Sequence, residues 1–277
     1  MYLINRGEGG RLGNQFMRNF IIYYLVKKYN FKISAKYSDE DKFIALGLPF
    51  VNQDNNIKCD KEEILSINAL ESIKKLTKLS DIKLNWGTKY YLSGRSYFQS
   101  RKYAKFILHQ FNKKNNIMIK GYCKKNKYKK RFQRNNDLFI HVRSGNFFRK
   151  NPPTIPKIDY YDYILEKLKD QYENIYVCSD DPNDSIVRSL VTNYGAKVPE
   201  INNNMIDTIL FGSTCKHVVL SSGSFSFMIG LFSYFSENVF YSINAGKFGK
   251  KLNKKWHPDY YMSMDTVDSN KYKRIDL

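Results

Sequence analysis

Leu138-Phe139-Ile140-His141-Val142-Arg143-Ser144-Gly145-Asn146 is a short apolar run that ends abruptly in a histidine, an arginine and a glycine. Such a run reads as a buried strand, and a permanent cation at its carboxyl end makes physical sense where an anion arrives. Downstream, further strands are predicted at 175–178, 217–221 and 239–242. Helices are predicted at 159–169, 184–194, 204–214 and 224–235. Strict alternation of this kind predicts a parallel α/β domain whose ligands gather at the carboxyl ends of the strands. Upstream, Phe16, Met17, Phe20, Ile21, Tyr24 and Leu25 recur at helical spacing behind a glycine-asparagine turn. Residues 31–35 read as a second short strand, while 61–79 and 103–111 read as helical.

The chain has 277 residues, enough for one large domain or two of ordinary size, and 42% of them are apolar, enough to bury real cores. Lys and Arg number 46 against 26 Asp and Glu, a net +20 that attracts phosphates, nucleic acid or anionic headgroups. Lysine- and asparagine-rich tracts produce the same figure without any partner. The most basic of them, 124–136, reads as an exposed connection between an N-terminal domain, 1–136, and a C-terminal domain, 137–277. Tyr128 and Phe132 interrupt its charges, so contact with a membrane surface stays open as an alternative, whereas nucleic acid is not the expected partner.

Several chemistries are excluded. Cys59, Cys123, Cys178 and Cys215 form no C-x-x-C pair, so neither a zinc ribbon nor a disulfide framework is expected. The histidines at 109, 141, 217 and 257 lack an H-x-x-x-H partner, so no metal is expected. The N-terminal glycines fit neither a P-loop nor G-x-G-x-x-G, which argues against a kinase or a dinucleotide dehydrogenase. The glycine-rich motif follows Met1 almost at once and no apolar run approaches the roughly 20 residues of a spanning helix, so a soluble, cytoplasmic protein is expected. Nothing in the sequence sets an oligomeric state.

Four further segments carry a resemblance: Gly9-Gly10-Arg11-Leu12-Gly13-Asn14-Gln15, Tyr97-Phe98-Gln99-Ser100, Cys178-Ser179-Asp180-Asp181 and Ser221-Ser222-Gly223-Ser224-Phe225-Ser226. Together with the 138–146 stretch, and in this order, they resemble the α-1,2-fucosyltransferases and, more distantly, the α-1,6- and protein O-fucosyltransferases. The resemblance implies the GT-B architecture, two Rossmann-like α/β domains facing a cleft. It also implies an inverting, metal-independent glycosyltransferase that moves L-fucose from GDP-fucose to a glycan hydroxyl in α-1,2 linkage, with no cofactor beyond the nucleotide-sugar donor. A transferase using another UDP- or GDP-linked deoxysugar, and a non-catalytic basic protein that binds glycan or nucleic acid, stay open beside it.

Sugar transfer requires that the departing diphosphate be neutralised, which arginine and a helix N-terminus accomplish without a metal. Arg143 offers a fork of donors for two phosphate oxygens, and Gly145 lets the chain turn sharply out of the strand. Ser222, Ser224 and Ser226, flanking Phe225 before an apolar helix, form either an anion cradle or an ordinary helix cap. The resemblance places the β-phosphate there. It also places His141 near the nucleotide, lets Asp207 accept from guanine N1 and N2, and brings Asn14 to the departing group and the acceptor. A core histidine, a helix-starting aspartate and a helix cap are the respective structural alternatives.

One departure concerns the base. The α-1,2 branch carries aspartate where this chain has Asn146, and an amide cannot remove a proton. Glu8, Asp180 and Asp181 are the nearest carboxylates to take that role, unless the reaction dissociates early and needs little help from a base.

Overall fold

The computed structural model describes residues 2–5, 11–29, 34–52, 61–65, 88–92, 101–113, 116–144, 156–201, 204–242 and 271–275. Every strand pairing among them is parallel. Strands β1 (Tyr2–Asn5), β2 (Ser34–Lys36), β3 (Lys61–Leu65) and β4 (Thr88–Leu92) form one sheet in the order β2-β1-β4-β3. Strands β5 (Leu138–Val142), β6 (Ile175–Ser179), β7 (His217–Val219), β8 (Asn238–Ser242) and β9 (Tyr272–Ile275) form the other, in the order β6-β5-β7-β8-β9. The strand order of the second sheet reverses between β5 and β7. In an open α/β sheet, a crevice opens at the carboxyl ends at such a switch point.

The helices are α1 (Leu12–Tyr29), α2 (Glu40–Ala45), α3 (Arg101–Phe111), α4 (Ile117–Lys125), α5 (Ile158–Lys167), α6 (Ser185–Tyr194), α7 (Met205–Gly212) and α8 (Ser224–Phe232). Short polar side chains start several of them. Asn116, Asp184 and Asn204 accept from the backbone N–H of Met118, Ile186 and Asp207, each at 2.8 Å, satisfying donors that a helix start leaves orphaned. No helix among the described residues is long and apolar enough to cross a membrane.

Strand β5 divides the apolar interior by its alternation. Leu138, Ile140 and Val142 enter a core completed by Tyr160, Ile164, Val187 and Leu190 from α5 and α6. Phe139, on the other face, belongs to a larger core shared by α1, α3, α4, α7 and α8. Phe16 anchors that larger core. Its ring lies 5.8–6.3 Å from the rings of Phe20, Phe43, Phe50, Phe111 and Phe232, so residues from both ends of the chain close on one aromatic side chain.

Two expectations are corrected. Residues 61–79 were expected to be helical, but 61–65 form the edge strand β3, with 66–79 outside the described residues. Lys61-Glu62-Glu63 suits a helix by propensity, yet parallel pairing with β4 sets Glu62 directly opposite Lys89, their charged atoms 3.6 Å apart. Cross-strand partners outweigh the weak local preference, and charge suits an exposed edge. The basic stretch 124–136, expected as an exposed connection, is pinned to α7. Asn126 donates to the Leu210 carbonyl at 2.9 Å, and the Tyr128 and Phe211 rings meet edge-on at 5.5 Å. Arg131 lies 4.6 Å above Phe211 and 2.6 Å from Asp137. The strand expected at 31–35 is observed as Ser34–Lys36, with Phe31–Ile33 outside the described residues.

Replacing Phe16 by alanine is expected to cost about 3–5 kcal/mol, the range for deleting a fully buried aromatic ring. Urea unfolding monitored by circular dichroism measures this. A loss below 1 kcal/mol would show that the shared core is not what holds the two ends of the chain together.

Candidate active site

The parallel register sets Val142 of β5 opposite Ser179 of β6, so the residues that follow, Arg143 and Asp180, leave the sheet side by side. Arg143 Nη1 lies 2.6 Å from Asp180 Oδ2. The other oxygen of the same carboxylate accepts from the Ser144 backbone N–H at 2.9 Å. One aspartate therefore fixes both the direction in which the chain leaves β5 and the orientation of the guanidinium. Asp181, its neighbour, shapes the turn instead: its N–H donates to Ser179 Oγ at 3.0 Å, and its carboxylate accepts from Asn183 N–H at 3.1 Å.

His141 stands two residues before Arg143 on the same face of the strand. It is 2% exposed, its Nδ1 lies 2.6 Å from Ser226 Oγ, and its ring centroid is 5.3 Å from that of Phe225. Burial pushes its pKa down from 6.5 to about 4, against the opposing pull of Asp180. The imidazole is therefore neutral at physiological pH. It contributes hydrogen bonding and shape, and no charge.

Helix α8 opens at Gly223, whose φ of 100° is a conformation that glycine adopts without penalty. No side chain caps this helix start. Across from it lies the start of α1. Ser224 Oγ donates to Asn14 Oδ1 at 2.6 Å, and a Cβ placed on Gly13 would stand 2.6 Å from the Ser224 carbonyl carbon and 2.7 Å from Phe225 N. Two helix N-termini, each carrying partial positive charge, thus meet, with Arg11 exposed at the head of α1 and α8 tied through Ser226 to His141, two residues before Arg143. A helix N-terminus can hold an anionic ligand, and Arg143 leaves the sheet at the carboxyl end of β5, on the side of the sheet where a switch point opens a crevice.

Of the residues singled out from sequence, Arg143, Asp180, His141, Ser226, Phe225, Ser224 and Asn14 fall along one path of sequence neighbours and contacts. Ser222 lies half-buried in the turn before Gly223. Asp207 stands apart from these contacts. It is buried at the start of α7, with Oδ1 2.7 Å from Lys127 Nζ and Oδ2 3.3 Å from Asn204 Nδ2. The hydrogen bond to Asp207 raises the pKa of Lys127. Glu8, Gly145 and Asn146 lie outside the described residues. Gly13, Ser144 and Lys127 were not assigned roles from sequence. Gly13 and Ser144 sit inside the quoted motifs, but nothing local announced that Gly13 would meet the backbone of Ser224 and Phe225 or that Ser144 would donate to Asp180, and Lys127 was hidden in a charge run.

A profile of glycosyl transferase family 11 matches residues 44–238, more than half of the chain. No curated protein sequence matches it. Two solved crystal structures of POFUT1, one in complex with GDP and one in the apo form, are similar with TM-scores of 0.42 and 0.41, each at 11% identity. The matches cover 85% and 83% of this chain and 96% and 94% of the POFUT1 chains.

His141 makes a pH-dependent contribution to stability. The unfolded imidazole takes a proton near pH 6.5 whereas the folded one resists until about pH 4, so the unfolded state binds the extra proton between these values. Stability should fall as pH drops through that window and stay level above it, with a contribution on the order of 3 kcal/mol. His141→Gln should flatten this acid limb in denaturation series between pH 4 and 7. An unchanged limb would mean that His141 is not buried in its neutral form.

Proposed function

The chain belongs to glycosyl transferase family 11, the α-1,2-fucosyltransferase family, and from that premise we propose that it transfers L-fucose from GDP-fucose to a glycan hydroxyl with inversion. The observation that supports the reading is the contact between the starts of α1 and α8, joined through Ser226 and His141 to the strand that ends at Arg143. An incoming hydroxyl oxygen bonds to the anomeric carbon on the face opposite the diphosphate. The carbon–oxygen bond to phosphate breaks, and its electron pair leaves with GDP. Negative charge that grows on the β-phosphate is met by Arg143 and by the α8 N-terminus with Ser222, Ser224 and Ser226, so no metal is called for. Residues 1–136 and 137–277 act as the two halves of a GT-B architecture, the second binding the donor.

Within this scheme Asn14 faces the departing group and the acceptor, tied to the donor half through Ser224. His141 borders the nucleotide as a neutral hydrogen-bonding group. Asp180 is a positioning residue for Arg143, since both of its oxygens are engaged at the exit from β5. The hydroxyl proton then goes to Glu8 or Asp181, or to solvent if the glycosyl cation forms early. The pair Lys127–Asp207 favours a second reading on the same scaffold. A base-reading carboxylate already held by an ammonium suits a nucleotide other than guanine, such as that of a UDP-linked deoxysugar.

A thermal-shift comparison of GDP, UDP and dTDP, with and without chelator, separates the two. A ligand at about 100 times its Kd adds roughly 2.7 kcal/mol of stability, and GDP is expected to do so regardless of chelator. A shift with UDP alone would remove the guanine role of Asp207, and no shift with any nucleotide would refute the transferase reading. With a donor established, Arg143→Ala should lower kcat by about 100- to 1000-fold while unfolding changes little. Arg143→Lys should also be poor, because an ammonium cannot span two phosphate oxygens. Wild-type turnover in either variant would refute the assignment of Arg143.

A further inference from the structure

We propose that the surface strip running from the end of α4, over the turn at Lys129–Arg131, to the turn after α8 and Lys271 docks on an anionic phospholipid bilayer. Between Lys124 and Asn136 the chain has cations at 124, 125, 127, 129, 130, 131 and 134 and no carboxylate. The fold sorts them. Lys127 and Arg131 are paired with Asp207 and Asp137. Lys124, Lys129, Lys130 and Arg134 are exposed, and none has a carboxylate partner among the described residues.

Beside them lies an aromatic ridge. Phe132 packs on Phe235 at 5.1 Å between ring centroids, and Phe235 packs on Tyr234 at the same spacing. Phe235 remains 36% exposed and Tyr234 38%. Lys271 closes the strip, its Nζ donating to the Tyr234 carbonyl at 2.6 Å and standing 5.6 Å from the ring centroid. The contacts are continuous, since Lys129 Nζ also reaches back to the Lys124 carbonyl at 3.3 Å.

Exposed cations around partly exposed rings match the headgroup layer of a membrane, where phosphates meet the cations and rings settle at the boundary with the acyl chains. Nucleic acid is the weaker match. The three rings pack on one another as a low ridge instead of standing apart as platforms for successive bases. The aromatic end of the strip adjoins the starts of β8 and β9, while Arg143 follows the carboxyl end of β5 in the same parallel sheet. Docking there leaves the anion site uncovered.

Sedimentation of the full chain with phosphatidylcholine vesicles, and with vesicles containing about 30% phosphatidylglycerol, tests this at about 0.1 M salt. Binding is expected only to the anionic vesicles and should weaken as salt rises. Replacing Lys124, Lys129 and Lys130 together by glutamine should lower the partition coefficient by about 100-fold, near fivefold for each cation removed. A second variant, Tyr234→Ser with Phe235→Ser, leaves the charge unchanged and should lower it by about tenfold. Absence of binding to anionic vesicles, equal binding to neutral ones, wild-type binding by both variants, or release from the vesicles by single-stranded RNA would each overturn the proposal.

Discussion

The start of α1 lies against the backbone of α8 more closely than any side chain permits. A Cβ at position 13 would fall 2.6–2.7 Å from three backbone atoms of Ser224 and Phe225, so only glycine fits. This contact does two things within one helical turn. It brings the helix starts together, so that Asn14 hydrogen-bonds Ser224 across a sequence separation of 210 residues. One turn along, it sets Phe16 against Phe232, where the ring closes the shared core. Packing and site geometry are consequently not separable here. A change that pushed α1 away from α8 would open the core and part Asn14 from Ser224 together.

Charge in the site is governed by burial and by register. His141 and Asp180 follow different rules although both border Arg143. The imidazole lies inside the apolar face of β5, where desolvation outweighs the pull of Asp180 and keeps it neutral. Asp180 stands at the sheet's edge, partly exposed, and its two oxygens are taken by a guanidinium and a backbone N–H. Asp181 has the same chemistry one residue later but faces its own turn, because the pairing of Val142 with Ser179 aligns residue 180, not 181, with Arg143.

Much of the second half was legible from sequence because buried parallel strands and amphipathic helices alternate there with little ambiguity. The strands at 138–142 and 175–178 and the helices at 159–169, 184–194, 204–214 and 224–235 appear within a few residues of the expected bounds. The first half was read less well. Lys61-Glu62-Glu63 has helical propensity but becomes a strand through a partner, Thr88–Leu92, more than twenty residues along the chain. Strand β9 was missed for the same reason: Tyr272–Ile275 alternates too briefly to stand out, and its identity comes from the edge of β8. In the site, residue types at strand and helix ends were readable, whereas contacts such as Lys127 with Asp207 depend on long-range packing that local patterns do not encode.

The basic composition is likewise resolved by position more than by amount. A net +20 says only that anions are attracted somewhere. Within 124–136 two cations are held by Asp207 and Asp137, and each has a second anchor in an aromatic ring, Tyr128 for Lys127 and Phe211 for Arg131. Those contacts fasten the segment to α7 and thereby oblige the intervening Lys129 and Lys130 to face solvent. These pairs thus create the outward patch: a free, flexible linker would spread the same charges over many conformations, while a pinned one presents them on one face beside Phe132 and Phe235. Fixed presentation strengthens attraction to a planar anionic surface, because the cations approach it together and little chain entropy is lost on contact.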